Sequence, residues 1–273
     1  MGLFGSNDNV EDLMYNAMSL MEKNQPKGAI SLFNKILKKE SKNNSALFNK
    51  GLALNQIKKY SDAITCFDIL LEINPKDTQA WNNKGISMAE NGNIQAAAEC
   101  YDKAIEADPK NASAYFNKGV LLDKLQEREE ALTALDKAIS IDSRKPNVVI
   151  YKGIVLGKLK RHEEALNCFQ NVCKKYPNNQ DAFFQKGVQL AELGQHKKAL
   201  DVFDDILKKF KDNVNVIYAK SRSKAALEMY PEALELLKQA VAKNPKVIRS
   251  WAKEEPIFTK LHSNEQFRKL VKI

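Results

Sequence analysis

Histidine is scarce in this chain, with three in 273 residues, and the four cysteines (Cys66, Cys100, Cys168, Cys173) form no CxxC pair. A clustered metal centre and a vicinal dithiol site are therefore not expected. No apolar run approaches the roughly 18–20 residues that a membrane-spanning helix requires. The N-terminus shows no basic segment followed by an apolar core, so no secretory signal is expected. Without a sign of export, the cysteines read as free thiols in a reducing cytoplasm. Eleven glycines and eight prolines are too few for a low-complexity chain. The phosphate-cradling P-loop, GxGxxG, HExxH and GxSxG are all missing, so the chain does not read as an enzyme and implies no cofactor or metal.

What is present is charge, unevenly placed. The net charge is +9. Residues 1–143 hold 17 Lys and Arg against 20 Asp and Glu, whereas residues 144–273 hold 26 against 14. The C-terminal half is thus the basic half.

A repeat is also present. Ala29, Ala63, Ala97, Ala131, Ala165, Ala199 and Ala233 are spaced 34 residues apart with no insertion or deletion. The register divides the chain into 10–43, 44–77, 78–111, 112–145, 146–179, 180–213 and 214–247, preceded by a frayed leader at 1–9. Other columns agree with it. Sixteen before the alanine the residue is always large and apolar (Leu13, Leu47, Trp81, Tyr115, Val149, Phe183, Ile217). Twelve before, it is small (Ala17, Gly51, Gly85, Gly119, Gly153, Gly187, Ser221). Four after stand Phe33, Phe67, Tyr101, Leu135, Phe169, Phe203 and Leu237. Spacings of i, i+4, i+7 describe one face of a first helix and one face of a second, and strand-like alternation does not recur. Short turns such as Asn91-Gly92-Asn93 separate the two, and Asn74-Pro75, Asp108-Pro109 and Tyr176-Pro177 stop the second helix. A small residue on the first helix facing the alanine on the second allows close backbone approach. An isolated pair would leave an apolar flank bare, so the pairs must stack.

These marks resemble the tetratricopeptide repeat (TPR) family. Residues 78–111 carry the family's pattern as Trp81, Gly85, Met88, Ala97, Tyr101, Ala104 and Pro109. The Asn-Lys-Gly wording of repeats 2–4 looks like that of archaeal and bacterial members. The resemblance covers about residues 10–247. It implies an all-α fold, a right-handed superhelical solenoid of seven 34-residue helix-turn-helix repeats. Residues 248–273 are not a repeat but keep apolar residues at helical spacing, and are expected to cap the last flank.

In this family the first helices line the concave face, which the resemblance makes the partner-binding groove. Fifteen and eleven before the alanine, that face reads Phe48 and Leu52, Asn82 and Ile86, Phe116 and Val120, Ile150 and Ile154, Phe184 and Val188, then Tyr218. The track suits an extended peptide or an amphipathic helix, possibly acidic. Equally, these side chains pack between neighbouring first helices; sequence leaves both open. Asn49, Asn83 and Asn117 stand beside them with amides able to bond a peptide backbone. Some members grip a terminal carboxylate with Lys and Arg, but the corresponding positions here include Phe48, Phe116, Ile150, Ser45, Ser113 and Asn147, so that clamp is not implied.

Lys50, Lys84, Lys118, Lys152, Lys186 and Lys220 recur thirteen before the alanine. Either their stems pack while the ammonium groups reach water, or the row forms an anionic stripe's counterpart. His162 and His196 share a column, but a helix diameter of roughly 10 Å between repeats is too far for shared metal ligation. Cys66, Cys100 and Cys168 also share one and are expected to be small, partly buried residues. Glu129-Glu130 and Glu163-Glu164 suit the N-terminal end of a second helix. Met1-Gly2-Leu3-Phe4-Gly5-Ser6 fits the short myristoylation pattern, a weak signal on its own.

The expected function is a cytoplasmic protein–protein interaction adaptor or scaffold. The alternative is a nucleic-acid-associated repeat protein using the basic half, which is disfavoured because no RNA-reading motif is present. If the groove residues are free, polar replacement of Phe116 and Phe184 abolishes partner capture with little change in thermal stability.

Overall fold

The computed structural model describes residues 9–273, so the Met1–Ser6 pattern lies outside the described residues. Among the described residues, fourteen helices come in consecutive pairs. They are α1 (Val10–Glu22) and α2 (Pro26–Lys39), α3 (Asn44–Gln56) and α4 (Tyr60–Ile73), α5 (Thr78–Glu90) and α6 (Ile94–Ala107), and α7 (Ala112–Lys124) and α8 (Arg128–Ile141). After these come α9 (Pro146–Lys158) and α10 (His162–Lys175), α11 (Gln180–Glu192) and α12 (His196–Lys209), and α13 (Val214–Ala226) and α14 (Tyr230–Lys243). The chain ends in α15 (Pro245–Glu254), a 3₁₀ helix (Pro256–Leu261) and α16 (Glu265–Val271).

Each helix start has a local cause. First helices are capped by an Asn or Asp twenty before the alanine: the side chains of Asn43, Asp77, Asn111, Asn179 and Asn213 accept from backbone N–H groups of the first turn. The fifth pair departs from this, with Lys145 at the cap and Pro146 at the first helical position. Second helices have no side-chain cap and instead follow a left-handed residue five before the alanine. Gly92 and Gly194 supply this conformation at no steric cost, but Asn24, Lys58, Gln126, Lys160 and Glu228 adopt it too. The sequence hinted at this column only through its two glycines and one asparagine.

The described residues fall into two compact units, one ending at Arg144 and the other starting at Lys145. The unbroken 34-residue register gives no sign of the division, whereas the change in charge balance falls beside it. Within each unit a second helix packs on its own first helix and on the next one, and neighbouring first helices also touch from α3 to α7 and from α9 to α13. The ladder alanines, Ala29 to Ala233, are fully buried. In the C-terminal unit α15 and α16 pack against α14, and the 3₁₀ helix packs against α13. Ile248, Ala252, Phe258, Leu261, Phe267 and Val271 thereby join the core of the last pair.

The nearest neighbours of the first-helix glycines belong to the large side chain four after the alanine. A Cβ added to Gly51, Gly85 or Gly153 would lie 2.6 Å from the ring of Phe67, Tyr101 or Phe169. Gly119 is pressed against Leu135 in the same way, and Gly187 against Phe203. Gly119 also approaches the ladder residue, at the Ala131 carbonyl oxygen. The rings are completely buried, so they have little room to yield.

Gly153→Ala should therefore lower stability by about 1–3 kcal/mol through overpacking, read as a lower urea midpoint. Adding Phe169→Leu, the residue type the fourth pair already uses, should recover part of that loss.

Candidate functional site

In the N-terminal unit the first helices α3, α5 and α7 touch in succession. Phe48, Leu52, Ile86, Phe116 and Val120 are each half-buried, and so are Asn49, Asn83 and Asn117, whereas Asn82 is buried. In the C-terminal unit Ile150, Ile154, Phe184 and Val188 are half-buried and Tyr218 is buried.

Their packing divides them. Phe48 meets Phe67 edge-on, with ring centroids 6.0 Å apart, and Phe184 lies 6.3 Å from Phe203. These two phenyl groups are anchored on their own second helix, against the same rings that fill the glycine gaps. Polar replacement of Phe184 therefore costs packing energy. At the start of the N-terminal unit the same face is more open: Tyr15 is 76% exposed and Met18 38%. At the end of the C-terminal unit it is covered. Tyr218 lies 5.5 Å from Trp251 and 6.2 Å from Phe258, measured between ring centroids. Arg222, eleven before the alanine, pairs with Glu255 at 2.6 Å and with Glu192 at 3.2 Å. Burial and the nearby Glu255 push the Tyr218 phenol above its ordinary range. The tail therefore occupies the last position of the first-helix face, a role its apolar spacing alone did not reveal.

The asparagines already hold internal bonds. Asn49 and Asn83 donate to the carbonyls of Ser45 and Gln79 on their own helices, both at 2.9 Å. Asn117 donates to the side chain of Asn82 across neighbouring first helices, at 2.9 Å. Side-chain bonds of this last kind help fix the relative position of adjacent pairs.

All six lysines of the row are half-buried. Lys84 pairs with Asp68 at 2.6 Å, and Lys118 and Lys220 pair with Asp102 and Asp204. Each carboxylate stands five after the alanine on the preceding second helix, so each pair ties a first helix to the pair before it. A row spent this way is a structural tie at these three places and is not an anion-binding stripe there. The aspartate column was legible: Asp68, Asp102, Asp136 and Asp204 share it, while Lys186 finds Gln170 at the corresponding place and Lys50 finds Asn34. Lys84 and Lys103 also flank the Trp81 ring, at 5.2 and 4.5 Å from its centroid.

The histidine column holds a contrast. His162 Nδ1 lies 2.9 Å from Gln189 Oε1, which belongs to the next pair. One repeat later Ser223 replaces that glutamine and is too short to reach His196. The Nδ1 of His196 and the Oγ of Ser223 are both buried without a partner. They line a cavity of about 200 Å³ with Glu192, Arg222 and Ile257. Burial, then the Arg222 charge, hold the His196 imidazolium below its ordinary range, partly offset by Glu192. Cys66, Cys100 and Cys173 are buried, and burial raises the pKa of each thiol, so they stay protonated packing residues at neutral pH. No helix among the described residues is long and apolar enough to cross a membrane.

Comparison with known proteins agrees with this geometry. Family models described as tetratricopeptide repeats match residues 88–148, 150–179 and 168–201, and one described as the N-terminal TPR repeats region of Psidin matches residues 14–117. Among curated proteins none matches. Among solved structures, YrrB, a TPR protein with an unusual peptide-binding site, is 26% identical, with a TM-score of 0.57 over 69% of this chain and 97% of its own. A tetratricopeptide repeat protein from Parabacteroides merdae is 17% identical, with a TM-score of 0.67 over 97% of this chain and 99% of its own. The Pseudomonas aeruginosa protein pilF is 21% identical, with a TM-score of 0.66 over 78% of this chain and 97% of its own. The last two show likeness of fold.

The depressed His196 pKa has a defined consequence. The unfolded imidazole titrates near 6.5, so the unfolded chain takes up the proton first as the pH falls. His196 then leaves stability unchanged above that pH and lowers it progressively below. Melting temperatures between pH 7.5 and 5 should show this decline. Ser223→Gln, which supplies the acceptor His162 already has, should make the decline shallower.

Proposed function

The chain belongs to the tetratricopeptide repeat family, and from that premise we propose that the first-helix face of its N-terminal unit binds a segment of a partner protein. Scaffolding between proteins, without catalysis, is the general role of this fold. The observation that carries the finer reading is the run of apolar side chains that begins at the exposed Tyr15 and Met18 and continues through the half-buried Phe48, Leu52, Ile86, Phe116 and Val120. Exposed apolar side chains that adjoin such a run mark an interaction site more often than an accident of folding. The solved structure of YrrB, a TPR protein that binds peptide, supports the same reading.

An extended peptide or one face of an amphipathic helix would lay apolar side chains along this run. Asn49 and Asn83 bond their own helices through the amide N–H, which leaves each side-chain oxygen to accept a peptide N–H. In the C-terminal unit the covering of Tyr218 by the tail places the end of that unit outside the proposed site. The buried, protonated thiols fit a reducing compartment, and we place the protein in the cytoplasm.

The test is site-specific photo-crosslinking in a lysate of the source organism, with the crosslinker at Met18, at Phe116 or at Lys38 on a second helix. The same protein should be trapped from positions 18 and 116 and not from 38. Tyr15→Ser with Met18→Ser should reduce capture at least about tenfold, as loss of a central apolar contact does. Stability should move by no more than about 0.5 kcal/mol, because both residues are exposed. Equal trapping from all three positions would reject the site.

A further inference from the structure

The residue eleven after the ladder alanine closes every second helix, and five of the seven are polar: Glu40, Asn74, Asp108, Asp142 and Asn244. Their side chains accept local hydrogen bonds at the helix end. Asn74, Asp108 and Asp142 each take the backbone N–H two residues on, Asn244 takes that of Val247, and Glu40 takes the amide of Asn43. This is the chemistry a chain reversal favours. In the fifth and sixth pairs the column turns aromatic, with Tyr176 and Phe210. Tyr176 is half-buried and packs beside Val172. Phe210 is 41% exposed. It gives up the local hydrogen bond and leaves a large part of an apolar ring in water. A residue that breaks the local rule in this way points to function.

The ring stands over a cavity. Phe210, Phe183, Ile206 and Pro177 supply apolar walls to a depression of about 580 Å³, with Lys208, Lys209 and Asp205 at its edge. The cations nearby in sequence are Lys174, Lys175, Lys208, Lys209 and Lys211, all exposed. Asp205 is paired with Lys208 at 2.8 Å, and Asp212 is paired with Lys243 at 2.5 Å. Lysines alone would suit the negative end of a helix dipole. The aromatic ring and the cavity beside them have no such explanation.

We propose that this depression is a second docking site, separate from the first-helix face, and that it takes one large apolar side chain of an acidic protein segment. The apolar walls receive the side chain, and the lysines meet the carboxylates on either side of it. A recess with apolar walls fits an inserted side chain better than the flat surface of a lipid bilayer. Charge complementarity favours the acidic segment over a neutral one, and it speeds the encounter as well.

The test uses the full chain and a dye-labelled heptapeptide with one tryptophan between two acidic triplets, followed by fluorescence anisotropy. The peptide should bind, more weakly as salt rises, and at least about tenfold more tightly than the same peptide with serine for tryptophan. Phe210→Asn restores the residue type of the other pairs and so keeps the helix end intact. It should cost at least about tenfold in affinity, the usual scale for loss of a central aromatic anchor. Lys209→Glu should weaken binding and flatten the salt dependence. Tyr15→Ser with Met18→Ser should leave this binding unchanged, which separates the result from that of the first-helix face. Equal affinity for the tryptophan and serine peptides, or unchanged binding by Phe210→Asn, would overturn the proposal. So would sedimentation of the chain with phosphatidylserine vesicles in a Phe210-dependent manner without peptide binding.

Discussion

In five of the seven helix pairs the second helix approaches the first only because a glycine leaves room for a ring or a leucine side chain. The ring of Phe67, Tyr101, Phe169 or Phe203, or the Leu135 side chain, fills the volume a Cβ would claim. The first pair uses Ala17 opposite Phe33. The seventh uses Ser221, whose buried hydroxyl donates to the Tyr218 carbonyl at 2.8 Å. Everything else in a pair depends on this fit. It sets how close the helices lie, and so which side chains remain on the outer surface of the first helix. Phe48 rests against one of these rings, so the core fit also fixes the depth of the proposed binding face. The ladder alanine permits the approach, and the ring four residues later determines it.

Between pairs, polar ties supplement the apolar contacts. Lys84, Lys118 and Lys220 reach back to aspartates of the preceding pair, and Asn117 reaches Asn82. Such half-exposed ion pairs contribute modestly, on the order of 1 kcal/mol or less each. Their greater effect is on register, since each admits one arrangement of neighbouring pairs. They also withdraw charge and amide groups from a ligand. What remains for a partner is mainly apolar on the first-helix face of the N-terminal unit, and basic and aromatic near Phe210 in the C-terminal unit. Two surfaces of different chemistry on one chain suit a scaffold, which gains by holding unlike partners at once.

Much of the fold was legible because a 34-residue period leaves every column visible seven times. Helix type, pair order and the alanine ladder follow from spacing alone. The aspartates five after the alanine were equally visible, yet only a structure shows that they face the lysines, because the partners are 16 residues apart and on different helices. The left-handed turn residue was half-hidden, since Lys58, Gln126, Lys160 and Glu228 adopt a conformation that composition does not announce. The mismatch of His196 and Ser223 needed the observed His162–Gln189 contact before the column gained a meaning.

The sequence by itself determined a helical repeat array of the tetratricopeptide type, because helical periodicity and the steric need for small residues are local properties of the chain. It named the columns from which a binding face would be drawn. Only the tertiary structure decided how far each column is exposed. Burial depends on what packs on top, and that comes from distant parts of the chain. Tyr218 and Tyr15 stand in neighbouring columns of their first helices, yet Trp251 and Phe258 cover the first while the second stands in water. The division at residue 144 was likewise beyond the periodicity, since an unbroken repeat states which residues are equivalent and not where compact units divide.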